Sequence, residues 1–248
     1  MNFSVQDIME LCPHQVPLNT ALWEFKQDVA KLRVIEEGDR YTYSSQYQQN
    51  PSPIGGGMFK DKYWKYYEVL PNDIYLIRMY ADTAQKTAER NDFSVIQCWG
   101  KSRTQGIFLI DQVRGKWEAP DLESKMVEFW NKHKPSIHKI LGCQVIKIED
   151  KSSGSSLIQS IRRDYMIPVE AIQRNTDKVL RAMGVVKYFS SGYIHVPKNA
   201  DWLFDYKEEF RKFTPLMTHA HDDQIDPTMD AVEDLIVFED LLYSSSSV

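Results

Sequence analysis

Carboxylate side chains stand at three places in the sequence where they could act together. Asp82 closes the apolar run IYLIRMYAD, Glu149 and Asp150 close CQVIKIED, and Asp222 and Asp223 precede the apolar-periodic run near the C-terminus. Carboxylates are hard oxygen ligands of the kind that Mg²⁺ and Mn²⁺ prefer. Two such ions roughly 3.5–4 Å apart can clamp a phosphodiester and activate a water against it. These residue types therefore suit metal-dependent phosphodiester chemistry, provided that the fold brings the three places together.

Each of these acids also has a structural interpretation that requires no ion. Asp82 is suited to the turn after a strand, Glu149 to the polar end of a strand, and Asp222 to the N-cap of a helix. Asp226 would be favoured in the first turn of that helix by the positive end of the helix dipole. Pro227 directly after it is tolerated only in a first turn, which weakens the case for Asp226 as a ligand.

Histidine and cysteine offer little for other metal or redox chemistry. His219 and His221 lie beside the acids of the last segment, but they have neither cysteine partners nor the i, i+4 spacing of a zinc-binding helical pair. Cys12, Cys98 and Cys143 are too few and too far apart for a disulfide framework or a CxxC site. Free thiols are usual in a reducing compartment, so we expect a cytoplasmic protein.

The bulk composition predicts a soluble globular protein. The 248 residues are 42% hydrophobic and 26% charged, which fits one large domain, or one domain with an appendage. No apolar run approaches the roughly 18 residues of a membrane span, and the N-terminus has no basic region followed by an apolar one. We therefore expect neither a membrane anchor nor a secretory signal.

The charge is distributed unevenly along the chain. The net charge is −5, but residues 132–187 hold eleven Lys and Arg against five acids. From Thr218 to the end there are eight acids and no Lys or Arg. Such a distribution suits a polyanion-binding face beside a cation site, although ordinary surface variation also explains it.

The order of the expected elements indicates the fold class. Residues 1–57 contain one helical stretch that stops near Gly38 and end in the linker NPSPIGGG, so we place a domain boundary there. Residues 58–243 show three strands joined by short connections and then alternating helices and strands, and residues 244–248 are expected to be a disordered tail. This order predicts an α/β protein of the ribonuclease H-like fold: a mixed central sheet whose first three strands are antiparallel, with helices on both faces. The predicted strands cover residues 73–82, 92–102, 106–115, 143–150, 166–172 and 192–197, and the predicted helices cover 119–135, 153–164, 175–192, 200–213 and 218–242.

The fold makes a specific demand on the acids. The first and fourth predicted strands are neighbours in this fold, so Asp82 and Glu149 should meet at their ends. The last helix should bring Asp222 or Asp223 to them from the other side. The three groups of acids, each of which has a structural interpretation when taken alone, would then form one site.

Five segments carry a family resemblance: YSSQYQQNPSPIGGGMF, MYADTAQKTAERNDFSVIQCWG, IFLIDQVRGKWEAPDLE, IEDKSSGSSLIQSI and HAHDDQIDPTMDAV. Together, in this order and spacing, they resemble the C-terminal part of bacteriophage and prophage terminase large subunits. Those proteins are DNA-packaging motors that join an ATPase to a ribonuclease H-like nuclease, which cuts concatemeric DNA into genome lengths. The resemblance runs from about Leu22 to Leu242.

The resemblance implies a DNA endonuclease that uses two Mg²⁺ or Mn²⁺ ions. It implies that Asp82 is the first-strand ligand, that Glu149 is the fourth-strand ligand, and that Asp222 and Asp223 supply the helix ligand, with Asp223 favoured as the direct one. The implied partners are double-stranded DNA, the terminase small subunit and the portal protein, in the cytoplasm of a bacterial host and without a membrane.

Phosphate contacts are expected in the basic middle of the chain, where they would position DNA without reading its sequence. Solvated helix faces are the alternative explanation for these basic residues. The candidates are Lys151, Arg162, Arg163, Lys178 and Arg181.

The sequence also departs from a complete terminase large subunit. It has no GxxxxGK[ST] phosphate-binding loop, so we predict no ATPase site and interpret residues 1–57 as a remnant of the end of the ATPase part. Two alternatives stay open: a Holliday-junction resolvase or transposase-like nuclease on the same fold, against which the segment SQYQQNP argues, and a non-catalytic prophage remnant that binds only DNA or packaging partners.

Overall fold

The computed structural model describes residues 28–38, 57–83, 93–136, 141–214 and 222–237. The chain divides into two compact units, residues 1–55 and 56–248. In the first unit, helix α1 runs from Val29 to Gly38, where the sequence predicted a stop. The segment SQYQQNP, the linker as far as residue 56 and the tail from residue 244 lie outside the described residues, so their assignments stay predictions.

The second unit is built on one seven-stranded sheet. Its strands lie side by side in the order β1, β7, β4, β3, β2, β5, β6. Strands β2, β3 and β4 are antiparallel neighbours, whereas the other neighbouring pairs are parallel. The mixed sheet with three consecutive antiparallel strands is therefore confirmed. The strands are β1 Lys65–Tyr67, β2 Ile74–Asp82, β3 Ser94–Ser102, β4 Ile107–Gly115, β5 Ile146–Glu149, β6 Val169–Ile172 and β7 Ile194–Pro197.

Strand β1 is the element that the sequence did not predict. It has only three residues, KYY, which is too short to show the alternation that marks a strand. It pairs in parallel with β7 at one edge of the sheet. The two strands that carry the candidate acids lie away from this edge.

Helices cover both faces of the sheet, as predicted. One hydrophobic core joins α2 and α3 to one face, and a second core joins α4, α5 and α6 to the other. Among the described residues, no helix is long and apolar enough to cross a membrane. The helices of this unit are α2 Ala119–His133, α3 Ser152–Tyr165, α4 Lys178–Ser190, α5 Leu203–Lys212 and α6 Ile225–Val232, and α6 continues as a π-helix over Glu233–Val237.

Helix α6 begins later than the sequence suggested. Its first residue is Ile225 rather than one near Thr218, although residues 215–221 lie outside the described part. Pro227 falls in the first turn, where a backbone N–H would have no partner within the helix, so the proline costs no hydrogen bond. The proline therefore does not argue against Asp226 as a functional residue.

An aromatic cluster holds α4 and α5 on the sheet. Phe59 packs edge-on against Phe189 at 4.8 Å and against Phe210 at 4.9 Å between ring centroids. Trp64 meets the same two rings at 5.4 and 5.3 Å. Edge-to-face pairs of this kind each add about 0.5–1.5 kcal/mol to the burial of their area. The cluster fixes the position of α4, whose first turns carry basic residues of the candidate site.

Gly154 lets helix α3 begin directly against the end of β5. A Cβ atom at this position would lie 2.0 Å from the carbonyl oxygen of Glu149. We expect Gly154→Ala to lower the free energy of unfolding by about 1–3 kcal/mol, because the Glu149 backbone must shift. Gly184→Ala in α4 is the matched control: it meets no atom within 4 Å, and it should stabilise the protein by about 0.5–1 kcal/mol. Urea denaturation of the two variants measures both effects, and equal effects of the same sign would contradict the prediction.

Candidate active site

The two strand-end acids reach one arginine. Strands β2 and β5 are parallel neighbours with Ala81 opposite Ile148, so Asp82 and Glu149 leave the sheet at the same end. Nη1 of Arg174 lies 3.1 Å from Asp82 Oδ2 and 2.8 Å from Glu149 Oε2. Arg174 follows strand β6 at that same end, and its side chain is only 6% exposed. The structure thus brings Asp82 and Glu149 together, as the fold required.

Helix α6 brings two further acids to this arginine. Asp226 and Asp230 are four residues apart and therefore share a face of the helix. Asp226 Oδ2 is 3.8 Å from Nη1 of Arg174, and Asp230 Oδ2 is 2.7 Å from Nη2. A second bond runs from Nε of Arg174 to Asp230 Oδ1 at 3.3 Å. Four carboxylates from two strands and one helix therefore surround a single guanidinium group.

Two cations on α4 complete this cluster. Lys178 Nζ lies 2.6 Å from Asp226 and 2.7 Å from Asp222. Arg181 lies 2.8 Å from Asp226 and 2.6 Å from Asp230. Asp222, one of the predicted helix ligands, therefore stands at the rim of the cluster and is linked to it through Lys178.

Asp223, the favoured direct ligand, lies elsewhere. Its Oδ2 is 3.2 Å from Nη2 of Arg114 on β4, and the same nitrogen is 3.3 Å from Glu209 on α5. Asp222 pairs with Lys178 on α4 whereas Asp223 pairs with Arg114 on β4, so the two side chains face different elements of the fold. The helix residue beside Asp82 and Glu149 is Asp226, which replaces Asp223 as the proposed helix ligand.

A buried polar network fixes the start of α6. The backbone N–H of Gln224 donates to Glu209 Oε1 at 2.6 Å, and its side-chain amide donates to Oε2 at 2.8 Å. Gln112 donates to Gln224 Oε1 at 2.6 Å, and Gln97 donates to the Gln224 carbonyl at 3.0 Å. Burial raises the pKa of Glu209, against the effect of its bonds to Gln224. Sequence patterns did not reveal this network, since its members come from two strands and two helices.

Arg174 and Asp230 were also missing from the sequence interpretation. A signal for both existed: Asp230 follows Asp226 at i+4, and Arg174 follows a predicted strand in the way that Asp82 and Glu149 do. Three site residues, Asp82, Glu149 and Arg174, therefore share one property: each lies at or just after the C-terminal end of a strand with a parallel neighbour.

The two central aspartates differ in how easily they ionise. Burial, together with the nearby charges of Asp226 and Glu149, raises the pKa of Asp82 to about 6 although Arg174 opposes this. Burial also disfavours the charged form of Asp226, but Arg174 and Lys178 outweigh it and lower the pKa of that carboxyl. Asp82, with a raised pKa, therefore lies beside Asp226, with a lowered pKa, and perturbed pKa values of this kind are common at functional sites.

This difference predicts opposite effects of two substitutions on stability. The pKa of Asp82 is higher in the folded protein than in the unfolded chain, so the protonated form favours folding. That stabilisation is present at low pH and is lost as the pH rises through about 6. Asp82→Asn should therefore raise the Tm of metal-free protein near pH 8, with a gain that shrinks toward about pH 5. Asp226→Asn should lower the Tm near pH 8, because an acid with a lowered pKa stabilises the fold when it is ionised. Differential scanning fluorimetry in EDTA measures both, and shifts of the same sign near pH 8 would contradict this assignment.

The donor set suits a hard divalent cation. Asp82, Glu149 and Asp226 each place a carboxylate oxygen within 3.8 Å of Nη1 of Arg174, and carboxylates are the ligand type that Mg²⁺ and Mn²⁺ take. Glu149 Oε1 is buried and forms an ion pair with Lys151 Nζ at 2.5 Å. Within the described ranges, no three Asp, Glu, His or Cys side chains are arranged so that they could hold an ion, and the side chains of Arg174 and Lys178 contact these acids.

The predicted DNA-contact residues fall into two groups. Lys151 is exposed beside Glu149, and Lys178 belongs to the cluster itself. Arg181 is buried among carboxylates with a side-chain exposure of 5%, so it is not available to a phosphate. Arg162 donates to the Val169 carbonyl and Arg163 pairs with Asp164, both near the far end of α3. The 1.5 Å rise per residue puts that end roughly 15 Å from the acids.

A second basic rim lies on the other side of Asp82. Asp82 pairs with Val95 on β3, and Val95 pairs with Arg114 on β4, so Arg114 lies roughly 10 Å from Asp82 across the sheet. Arg114 stacks over the ring of Phe93 at 4.0 Å, and exposed Lys116 lies 4.7 Å from the same ring. Lys116 and Lys151 thus flank the acids.

Solved structures of phage terminases share this fold. The large terminase of a thermophilic bacteriophage aligns with a TM-score of 0.53 and 12% identity, over 82% of this chain and 52% of that one. The nuclease domain of the P22 large terminase aligns with a TM-score of 0.52 and 12% identity, over 71% of this chain and 90% of that one. The large terminase nuclease of the thermophilic phage G20c aligns with a TM-score of 0.50 and 11% identity, over 72% of this chain and 98% of that one. This chain spans about half the length of the first of these proteins.

A family model identifies the chain more directly. No curated protein matches the sequence significantly. The model described as the terminase ribonuclease H-like domain matches residues 79–235, which is more than half of the chain and includes every acid of the cluster. The chain therefore belongs to the terminase ribonuclease H-like domain family.

Proposed function

We propose that this chain is a divalent-metal-dependent DNA endonuclease that cuts concatemeric phage DNA during genome packaging. The observation that carries the proposal is the convergence of Asp82, Glu149 and Asp226 on one point at the ends of β2 and β5. Family membership favours this function over a Holliday-junction resolvase or a transposase. Double-stranded DNA is the proposed substrate, with the terminase small subunit and the portal protein as proposed partners.

In this proposal Asp82, Glu149 and Asp226 hold Mg²⁺ or Mn²⁺, two ions in all, and Asp222 serves at the rim. Bound ions of this type lower the pKa of a water and stabilise the leaving 3′ oxygen of a phosphodiester. Lys178 lowers the pKa of Asp226 and pairs with both Asp226 and Asp222, which helps to hold these two side chains in place. The network around Gln224 holds the start of α6, so these side chains are preorganised before substrate arrives.

Lys116 and Lys151 are the proposed phosphate contacts, one on each side of the acids. Both are exposed, and phosphate contacts of this kind position a duplex without reading its sequence. Lys151 is the predicted contact that keeps this role, whereas Lys178 orients acids and Arg162, Arg163 and Arg181 do not face the site.

The double variant Lys116→Gln/Lys151→Gln should bind duplex DNA more weakly and with a smaller salt dependence. Loss of two phosphate contacts should reduce the slope of log K against log salt concentration by about 2. The matched control is Lys125→Gln/Arg163→Gln, which removes the same charge from exposed side chains that pair with Glu128 and Asp164 away from the site. Fluorescence anisotropy with a labelled duplex across a salt series measures both, and equal slopes for the two variants would contradict the proposed contacts.

Incubation of supercoiled plasmid with the purified protein tests the proposed function. We expect conversion to nicked and linear forms with Mn²⁺ or Mg²⁺ and none with EDTA. Persistence of supercoils at every metal concentration, in protein shown to bind DNA, would reject the nuclease.

One observation favours a second candidate, a DNA-binding module that does not cut. Arg174 fills the space between Asp82 and Glu149, and a permanent cation there would keep metal out. The same plasmid experiment separates the candidates, because the module would bind DNA without removing supercoils.

A further inference from the structure

One nitrogen atom occupies the point where the acids converge. Nη1 of Arg174 has Asp82, Glu149 and Asp226 within 3.8 Å, whereas Nε and Nη2 of the same side chain contact Asp230. A guanidinium group normally pairs with one carboxylate through two parallel bonds, and Asp230 already provides that pairing. Nη1 therefore serves the other three carboxylates as a bridging cation.

The charge of the cluster indicates that this arrangement is not the only stable one. Six carboxylates share four cationic groups in the described part of the site, so the cluster has a formal charge of −2. A cluster with net negative charge favours the binding of a divalent cation. The carboxylates are Asp82, Glu149, Asp222, Asp226, Asp230 and Glu233, and the cations are Lys151, Arg174, Lys178 and Arg181.

We propose that Arg174 is a built-in competitor for the catalytic cation: its Nη1 holds the acids together without metal and must leave them when a divalent cation binds. This inference rests on the proposed function and concerns a residue that the sequence did not predict. Asp230 pairs with Nε and Nη2, so it can remain a partner of the guanidinium group when that group moves and Nη1 leaves Asp82 and Glu149. The protein stays folded without metal because Arg174 neutralises the acids. For the same reason the acids bind a divalent cation more weakly than they would without Arg174.

Arg181 provides a matched control for Arg174. It is equally buried, with a side-chain exposure of 5% against 6%, and it also bonds Asp226 and Asp230. Its third partner is Glu233 rather than Asp82 or Glu149. Loss of Arg181 therefore removes a similar buried charge but leaves Arg174 in contact with Asp82 and Glu149.

Mn²⁺ binding without DNA tests the inference by isothermal titration calorimetry on EDTA-treated protein. We expect Arg174→Gln to bind Mn²⁺ about tenfold more tightly than the unaltered protein, since one competing ion pair is gone, and Arg181→Gln to differ by less than about threefold. Without metal, Arg174→Gln should lose on the order of 10 °C in Tm, and Mn²⁺ should restore most of that loss. Equal or weaker Mn²⁺ binding by folded Arg174→Gln would overturn the inference. Absence of Mn²⁺ binding in the unaltered protein and in both variants would instead overturn the proposed function.

A second measurement uses the unaltered protein, in case Arg174→Gln does not fold. The Nε–H resonance of Arg174 can be assigned in ¹H–¹⁵N spectra by its loss in Arg174→Lys. Saturating Mg²⁺ should shift that resonance, because Nη1 changes its partners, while the Arg181 resonance moves less. An Arg174 resonance that does not respond to Mg²⁺, in protein that calorimetry shows to be loaded, would overturn the inference.

Discussion

Asp82→Asn should reduce metal-dependent plasmid cleavage by about 10³-fold or more while leaving DNA binding intact. The carboxylate stands at the end of β2, 3.1 Å from the nitrogen that marks the point of convergence. An amide keeps the size of the side chain but supplies one weak neutral oxygen to a cation. Glu149→Gln, at the end of β5, should behave in the same way for the same reason. Nicking rates with Mn²⁺, measured beside duplex binding in EDTA, test both variants.

Asp150→Asn is the control for these two substitutions. Asp150 directly follows Glu149 but turns away from the cluster and accepts hydrogen bonds from Ser155 and Gln173. Its variant should keep cleavage within about threefold of the unaltered protein, since it supplies nothing to the acids at the strand ends. Undiminished cleavage by Asp82→Asn, or equal loss in Asp150→Asn, would contradict the assignment of the site.

The second large effect on cleavage distinguishes Asp226 from Asp223 as the metal ligand near the start of α6. Asp226→Asn should reduce cleavage by about 10²–10³-fold, because it removes the helix carboxylate that faces Asp82 and Glu149. Asp223→Asn should retain cleavage within about tenfold, since Asp223 pairs with Arg114 on the other side of the helix start. Single-turnover nicking under saturating Mn²⁺ compares the two variants directly.

Thermal unfolding of these variants provides the control for folding. Asp226 also pairs with Lys178 and Arg181, so its substitution should lower the Tm of metal-free protein as well as cleavage. A folded Asp226→Asn that cuts normally, beside an inactive Asp223→Asn, would show that the helix turns differently in the active protein and that Asp223 is the direct ligand.

The fold was predictable from the sequence because its strands differ clearly in pattern from its helices. Asp82 and Glu149 could be expected to meet, since both end strands that the ribonuclease H-like order makes neighbours. The parallel pairing of β2 with β5 has that geometry. The family could likewise be recognised from the order of weak motifs, and the match over residues 79–235 bears this out.

The choice of helix acid could not be predicted in the same way. The side chains of Asp222, Asp223 and Asp226 point in directions set by where α6 begins, and its first residue, Ile225, is fixed by the buried contacts of Gln224. Those contacts involve Glu209 on another helix, 15 residues away, and Gln112 on a strand, 112 residues away. A shift of the helix start by one residue rotates every later side chain by about 100°, so local sequence alone does not determine which acid faces the site.

The basic residues show a related difficulty. Net charge along the chain correctly marked a region rich in Lys and Arg, but it did not distinguish exposed Lys151 from buried Arg174 and Arg181. The buried arginines neutralise acids that come from other elements of the fold. Charge density in a sequence therefore indicates a candidate surface only after these internal pairs are known.

The most direct test of the site is anomalous diffraction from crystals of the protein soaked in Mn²⁺. Manganese peaks should lie between Asp82, Glu149 and Asp226, with the guanidinium group of Arg174 moved away from the first two. A manganese peak beside Asp223 and Arg114, or no peak at the ends of β2 and β5 in crystals that bind Mn²⁺ elsewhere, would contradict it.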